Sequence, residues 1–313
     1  MRTFAHMNME VRMSFKIVGV KSLAELEELL CTKGEDEQIL AVNLTLTSIQ
    51  KFFAAFVAAV VAAFDFDGTV TAHSQFTALR NNTKTMTRAM AEEDEADAMS
   101  YFGGGILSDY GHISFIFRTV RRMLSARLDR NDFREAVTEI KPRPGAIELM
   151  QTFLPRMAGA IAIISYGLWD VIRIWTDFYA YHVVRSDAIH ALKLDWKRDM
   201  LDGCQLTTVV SDGNKGHRFA VHCALNEVEP KTAIVIGDSP ITDLSMLRMG
   251  IGVLLIPNTE KVLRNIKKQE AEMRADHRVG PFLAPAFMHV QAFFLSDDLT
   301  PLAKIRLGEI TCD

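Results

Sequence analysis

Four short apolar runs frame the chain. VVAAFDFDGT (60–69), AIAIISYG (160–167), TAIVIGDS (232–239) and GVLLIP (252–257) are each nearly continuous in aliphatic or Phe residues, and the first three end in polar ones. Runs of this length without alternation suit strands buried on both faces of a parallel sheet. Helical patterns lie between them, at GAIELMQTFL (145–154) and GHRFAVHCAL (216–225). The alternation predicts an α/β fold with a doubly wound parallel sheet. In such sheets ligands bind beyond the carboxyl ends of the strands, where the polar residues of these runs fall.

The segment 72–141 departs from this rhythm. Ile113, Ile116, Phe117, Val120 and Leu124 form a helical stripe, Gly103, Gly104 and Gly105 divide the segment, and Pro142 and Pro144 close it. It reads as a helical insert placed directly after the first core strand, where it would hang over the carboxyl edge of the sheet as a lid. The expected division is an N-terminal extension of unassigned role (1–58), a core built from 59–71 and 142–258, the insert (72–141), and a C-terminal segment packed on the core (259–313). Within the extension, FKIVGV (15–20) and ILAVNLTLT (39–47) read as strands. SLAELEELL (22–30) reads as a helix capped by Ser22, with Glu25 at the capping-box position. In the C-terminal segment KVLRNIKK (261–268) reads as an exposed helix face, while Pro281, Pro285 and AFFLSDD (292–298) mix helix and strand signals.

Charge and composition narrow the function classes. The chain has 313 residues with 35 Lys and Arg against 39 Asp and Glu, a net charge of −4. That balance lacks the broad basic footprint of a nucleic-acid binder, so any affinity for phosphate must be local. The longest apolar run, Phe52 to Phe64, has 13 residues, short of the roughly 18 that cross a bilayer. No membrane partner is expected. Cys31, Cys204, Cys223 and Cys312 show no CxxC spacing, which suits a reducing cytoplasm. Four basic residues against one acidic in the first 21 leave a targeting segment as the alternative. Nothing in the sequence sets an oligomeric state.

The chemistry concentrates in DFDGTVT. Asp65 and Asp67 flank Phe66 at the tip of a buried strand, where two carboxylates are costly unless a cation or a proton offsets them. Gly68 permits a tight turn and lets backbone amides approach a ligand. DFDGTVT after an apolar strand resembles motif I of the haloacid dehalogenase (HAD) superfamily. The resemblance extends in order along 60–257: Ser165 ends the second core run, Lys215 opens a helical stretch in SDGNKGHRF, and GDSPITD supplies Asp238 and Asp243, at intervals of 100, 50 and 23 residues.

The resemblance implies a Rossmann-like core with a helical cap and a phosphatase reaction. Asp65 would be the nucleophile that forms an aspartyl-phosphate, and Asp67 the general acid and then base. Ser165, Lys215 and Gly68 would bind the substrate phosphate. Mg²⁺ would be held by Asp65, the Asp67 carbonyl and Asp238, with Asp243 orienting that shell. With Asp67 protonated, the three remaining carboxylates are balanced by one Mg²⁺ and Lys215. Without the metal such a site repels phosphate, so strict dependence on a divalent ion is expected. An acid at position 67 favours phosphoryl transfer over halide removal, since a halide leaves without a proton.

The helical insert and SYGLWDVIRIW (165–175) are similar to the phosphoserine phosphatase-like branch of that superfamily and to pyrimidine 5′-nucleotidases. Phosphoserine phosphatases carry a glutamate about nine residues after the nucleophile. Here that position is Ser74, beside His73, and the first motif reads DFDGT rather than DxDST. Both departures weigh against phosphoserine and leave a small phosphorylated metabolite as the expected substrate. A phosphotransferase or phosphomutase using the same aspartyl-phosphate is the enzymatic alternative, and a non-catalytic binding protein the other. Arg118, Arg121 and Arg122 read as a solvated basic face of the insert. His217 and His222 read as helix-face residues rather than metal ligands, Asp212 equally as a loop or capping residue or as a site residue, and Trp169 and Trp175 as core.

Overall fold

A computed structural model describes residues 14–102, 109–154, 160–260, 262–264, 267 and 283–311. The chain begins with β1 (Ser14–Val20), α1 (Leu23–Thr32), β2 (Glu37–Asn43) and α2 (Ile49–Ala58), followed by the short strand β3 (Ala62–Phe64). Four helices come next: α3 (Gln75–Asn82), α4 (Arg88–Phe102), α5 (Asp109–Ser125) and α6 (Arg130–Thr138). The chain continues through α7 (Ala146–Gln151), β4 (Ile161–Leu168), α8 (Trp169–Tyr179), β5 (Ile189–Lys197), β6 (Met200–Gln205) and α9 (Asp212–Leu225). It ends with β7 (Ile234–Gly237), α10 (Leu244–Leu247), β8 (Ile251–Leu255), α11 (Ala284–His289), β9 (Ala292–Leu295) and α12 (Thr300–Leu307).

The nine strands among the described residues form one sheet in the order β1-β2-β9-β8-β7-β3-β4-β5-β6. All neighbours are parallel except β2–β9 and β5–β6. The four apolar runs become β3, β4, β7 and β8, side by side as expected of strands covered on both faces. Their residues alternate between two cores. Ala62, Phe64, Ile161, Ile163, Ile234 and Ile236 face one layer, and Ala63, Ala162, Ile164 and Val235 the other. Burial on both faces, not alternation of polarity, is why these strands read as unbroken apolar runs.

The run from Phe52 to Phe64 is two elements. Phe52, Phe53 and Phe56 are the buried stripe of α2, which ends where Ala59 turns to ψ 139°, and the rest leads into β3. No helix among the described residues is long and apolar enough to cross a membrane. Ser22 caps α1 by accepting from the Glu25 N–H at 3.2 Å, and the Glu25 carboxylate accepts from the backbone of Lys21 rather than of Ser22. The strand expected over 39–47 stops at Asn43, whose side-chain Oδ1 accepts from the N–H and hydroxyl of Thr45 and bends the chain away. β9, from the AFFLSDD stretch, lies between β2 and β8, so both chain ends contribute to the sheet.

Several readings of single residues are corrected. Arg122 is not a solvated face residue: it is buried and bonded to Asp94 at 2.9 Å and to Asp97, while Arg118 meets Asp97 at 3.2 Å. The signal was hidden because its partners lie on α4, a polar helix with no apolar stripe. Trp175 is core, with its indole N–H on the Ile140 carbonyl at 2.8 Å. Trp169 is only half-buried and reaches Ser186. The Gly103–Gly105 break, Cys312, Pro281 and half of KVLRNIKK lie outside the described residues, as does the side chain of Asp212.

His222 is buried too, with its ring 6.4 Å from that of His190, and the Nε2 atoms of both are buried without a hydrogen-bond partner among the described residues. Burial, with His222 and Arg218 nearby and against the opposing pull of Asp187, lowers His190 to about 4. The folded chain therefore keeps this ring neutral in a range where the unfolded chain takes up a proton. Stability should fall as pH drops from about 6.5 towards 4, by roughly 3 kcal/mol from this residue. His190→Phe is expected to flatten that part of the stability–pH curve in denaturant titrations. An unchanged slope would show that His190 is not responsible.

Candidate active site

The candidate residues meet at the carboxyl ends of β3, β4 and β7. Asp65 follows β3 directly, and its N–H donates to the Ile236 carbonyl of β7 at 2.9 Å, which keeps the two strand ends level. The chain then turns sharply. The carbonyl of Phe66 accepts from the N–H groups of Val70 and Thr71, both at 3.0 Å. Gly68 sits at φ +78°, and a Cβ there would lie 2.1 Å from Oδ2 of Asp238. Glycine is required both by the left-handed backbone and by the closeness of that carboxylate. Arg143, almost fully buried, clamps the turn by donating to the carbonyls of Gly68 at 2.6 Å and Thr69 at 3.0 Å, and it also meets Asp297 at 3.0 Å.

Lys215 reaches the same point from the first turn of α9. That helix opens with a reciprocal cap between Ser211 and Asn214. The next residue, Gly216, lets it press on α10: a Cβ there would lie 2.6 Å from the Ser245 carbonyl oxygen. This approach sets the Lys215 ammonium, fully buried, between two carboxylates. It donates to Asp65 Oδ1 at 2.6 Å and to Asp243 Oδ1. The other oxygen of Asp243 accepts from the Ser239 N–H at 3.0 Å. Ser165 is buried within β4, where the register shifts between Ile164 and Leu168, and its hydroxyl accepts from the Gly167 N–H at 3.1 Å. The Asp67 carboxyl group points to α3, where both its oxygens are held by Gln75.

These groups open into one cavity of about 880 Å³. Asp65, Asp67, Gly68, Ser165 and Asp238 form its floor, while His73, Ser74, Phe76, Arg80 and Phe115 line it from the segment between β3 and β4. Lys215 and Asp243 lie just beneath. His217, His222 and Trp175 are not among the lining residues. Gln75, Arg143 and Arg80 carried no signal in the sequence. Each gains its place only through contacts with distant segments.

The electrostatics are those of a site with too much negative charge. Burial pushes the carboxyl group of Asp65 well above its ordinary range, the neighbouring Asp243 and Asp238 add to this, and Lys215 opposes it. Burial, reinforced by Asp243, raises Asp238 to about 7. Burial raises Asp67 to about 6 against the stabilising donors of Gln75. Burial works against the charge of Lys215, but Asp243 and Asp65 outweigh it and hold the ammonium charged. Oxygens of Asp65, Asp238 and Asp243 lie within 4.8 Å of one another. Asp238 has only the Thr69 hydroxyl, at 3.4 Å, as a side-chain donor among the described residues. A compact all-oxygen donor set with uncompensated charge fits a hard divalent cation such as Mg²⁺.

A sequence profile described as haloacid dehalogenase-like hydrolase matches residues 62–248. A search of curated proteins found no match. Among solved structures, a cytosolic 5′-nucleotidase IIIB bound to cytidine is similar over 92% of this chain and 97% of its own, with 16% identity and a TM-score of 0.55. A probable phosphoserine phosphatase from Vibrio cholerae is similar over 82% of this chain and 69% of its own, with 15% identity and a TM-score of 0.50. At these identities the likeness is one of fold.

Proposed function

The chain belongs to the haloacid dehalogenase-like hydrolase family, and from that premise we propose that it is a Mg²⁺-dependent phosphatase that hydrolyses small phosphomonoesters through an aspartyl-phosphate. The observation that carries this reading is the buried Lys215 bridging Asp65 and Asp243 beside Asp238 and Ser165, at the floor of a cavity large enough for a metabolite. The carboxylate of Asp65 attacks phosphorus. As that bond forms, the bond from phosphorus to the leaving oxygen breaks, and the electron pair stays on the leaving oxygen. Asp67, raised to about 6, donates its proton there. It then takes a proton from the water that attacks the aspartyl-phosphate and releases inorganic phosphate. Ser165 and the Lys215 ammonium hold phosphate oxygens in place. Asp65, the Asp67 carbonyl and Asp238, with Asp243 behind them, would hold Mg²⁺, which would supply positive charge against the phosphate dianion.

The test is a panel of phosphomonoesters with Mg²⁺, including nucleoside monophosphates, phosphoserine and sugar phosphates, read as release of inorganic phosphate. At least one ester is expected to turn over, and chelation should cut its rate by about 100-fold or more, with Mg²⁺ restoring it. A rate that survives chelation would overturn the metal dependence. Label appearing on an added alcohol instead of as free phosphate would mark a phosphotransferase.

A further inference from the structure

Gln75, the first residue of α3, is completely buried and touches two parts of the site at once. Its backbone N–H donates to Oδ1 of Asp67 at 2.5 Å, and its side-chain Nε2 donates to Oδ2 at 2.7 Å. One residue therefore holds both oxygens of that carboxyl group. The Oε1 atom of Gln75 accepts from the backbone N–H of Leu168, at the end of β4, at 2.7 Å. A backbone N–H can only donate, so the amide oxygen must face β4 and the NH₂ group must face Asp67. Gly167 makes room for this arrangement. A Cβ at that position would lie 1.6 Å from Nε2 of Gln75.

We infer that Gln75 is a positioning residue for the proton step of the phosphatase reaction proposed above, on which the inference rests. It sets the plane of the Asp67 carboxyl group and ties it to the turn that follows Ser165. The proton donor and the phosphate-binding turn are thus assembled only while α3 is seated. Two donors on two oxygens stop the carboxyl group from rotating and leave each oxygen a free lone-pair direction for the transferred proton. The consequence depends on the leaving group. An alkyl oxygen is strongly basic and needs the Asp67 proton as its bond to phosphorus breaks. A nitrophenyl oxygen holds the electron pair without it.

The experiment compares kcat/KM, which reports the steps up to leaving-group departure, for an alkyl monophosphate that the wild type hydrolyses and for p-nitrophenyl phosphate. Both are measured on the full chain with Mg²⁺. Gln75→Met keeps length and apolar volume but removes both side-chain hydrogen bonds. Gly167→Ala keeps Gln75 and displaces it. Each variant is expected to lower the alkyl value by about 10- to 100-fold and the nitrophenyl value by less than about threefold. Asp67→Asn, run alongside, should show the same selectivity with a larger alkyl loss. Equal losses on the two esters in Gln75→Met and Gly167→Ala, with Asp67→Asn still selective, overturn the role of Gln75 alone. An unselective Asp67→Asn removes the acid role of Asp67 and the Gln75 inference with it.

Discussion

Asp65→Asn is expected to reduce phosphate release by about 10⁴-fold or more while the protein stays folded. The amide keeps the shape of the carboxylate but has no charge with which to attack phosphorus, and no other carboxylate replaces it. Asp67 is turned towards Gln75, and Asp243 is held by Lys215 and Ser239. Stability should change little. The substitution removes one of the two carboxylates that bond Lys215, but it also removes the repulsion between Asp65 and its neighbours Asp238 and Asp243. A melting temperature near that of the wild type, together with single-turnover phosphate release below detection, is the expected pair of results. A variant as fast as wild type on the same ester would mean that another group is the nucleophile.

Lys215→Met should have the largest effect on stability, about 3–5 kcal/mol at pH 8 without added metal. The ammonium is fully buried and is bonded by two carboxylates, with a third in the same cluster. Methionine fills most of the volume but leaves the three acids uncompensated. The loss should be pH-dependent, with a definite sign. Carboxyl groups whose folded values lie above the unfolded value near 4 hold protons that the unfolded chain has released. The folded state is then favoured at low pH, and that advantage disappears as pH rises through the folded values. Asp238 already stands at about 7 in the presence of the lysine. The variant should therefore be closer to wild type at pH 5 than at pH 8, and a divalent cation should narrow the gap at pH 8. Denaturant titrations at the two pH values measure this. Equal stability of variant and wild type at pH 8 would show that Lys215 does not balance the cluster.

The four apolar runs, and the acids at the ends of the first and third, were readable in the sequence because each depends on a few adjacent residues. A strand covered on both faces writes itself as an apolar run, and an acid at its tip follows at once in the chain. Lys215 and Ser165 were singled out only by the family resemblance, which expects a hydroxyl and a lysine in that order along the chain. What escaped was made by folding. Gln75 owes its place to a carboxyl group eight residues back and to the N–H of Leu168, 93 residues on. Arg143 holds carbonyls more than 70 residues away. The β5–β6 hairpin was missed for a local reason. Its turn residues Arg198 and Asp199 take φ of +49° and +62°, where hairpins commonly place Asn or Gly. The strands of the N-terminal segment were visible, but their neighbours were not, since pairing between distant segments leaves no mark in either one.

The position of β9 bears on how the chain is made. Ile39 in β2 pairs with Leu295 in β9, and β9 in turn pairs with β8. As the polypeptide leaves the ribosome, β1 and β2 emerge well before the strand that joins them to the rest of the sheet, which is produced some 250 residues later. At roughly 5–20 residues per second that interval lasts some tens of seconds. Throughout it an apolar strand edge stands uncovered in a crowded cell. Truncation from the far end should therefore yield a nascent chain that depends on chaperones, even though every residue of the reaction centre has already been synthesised.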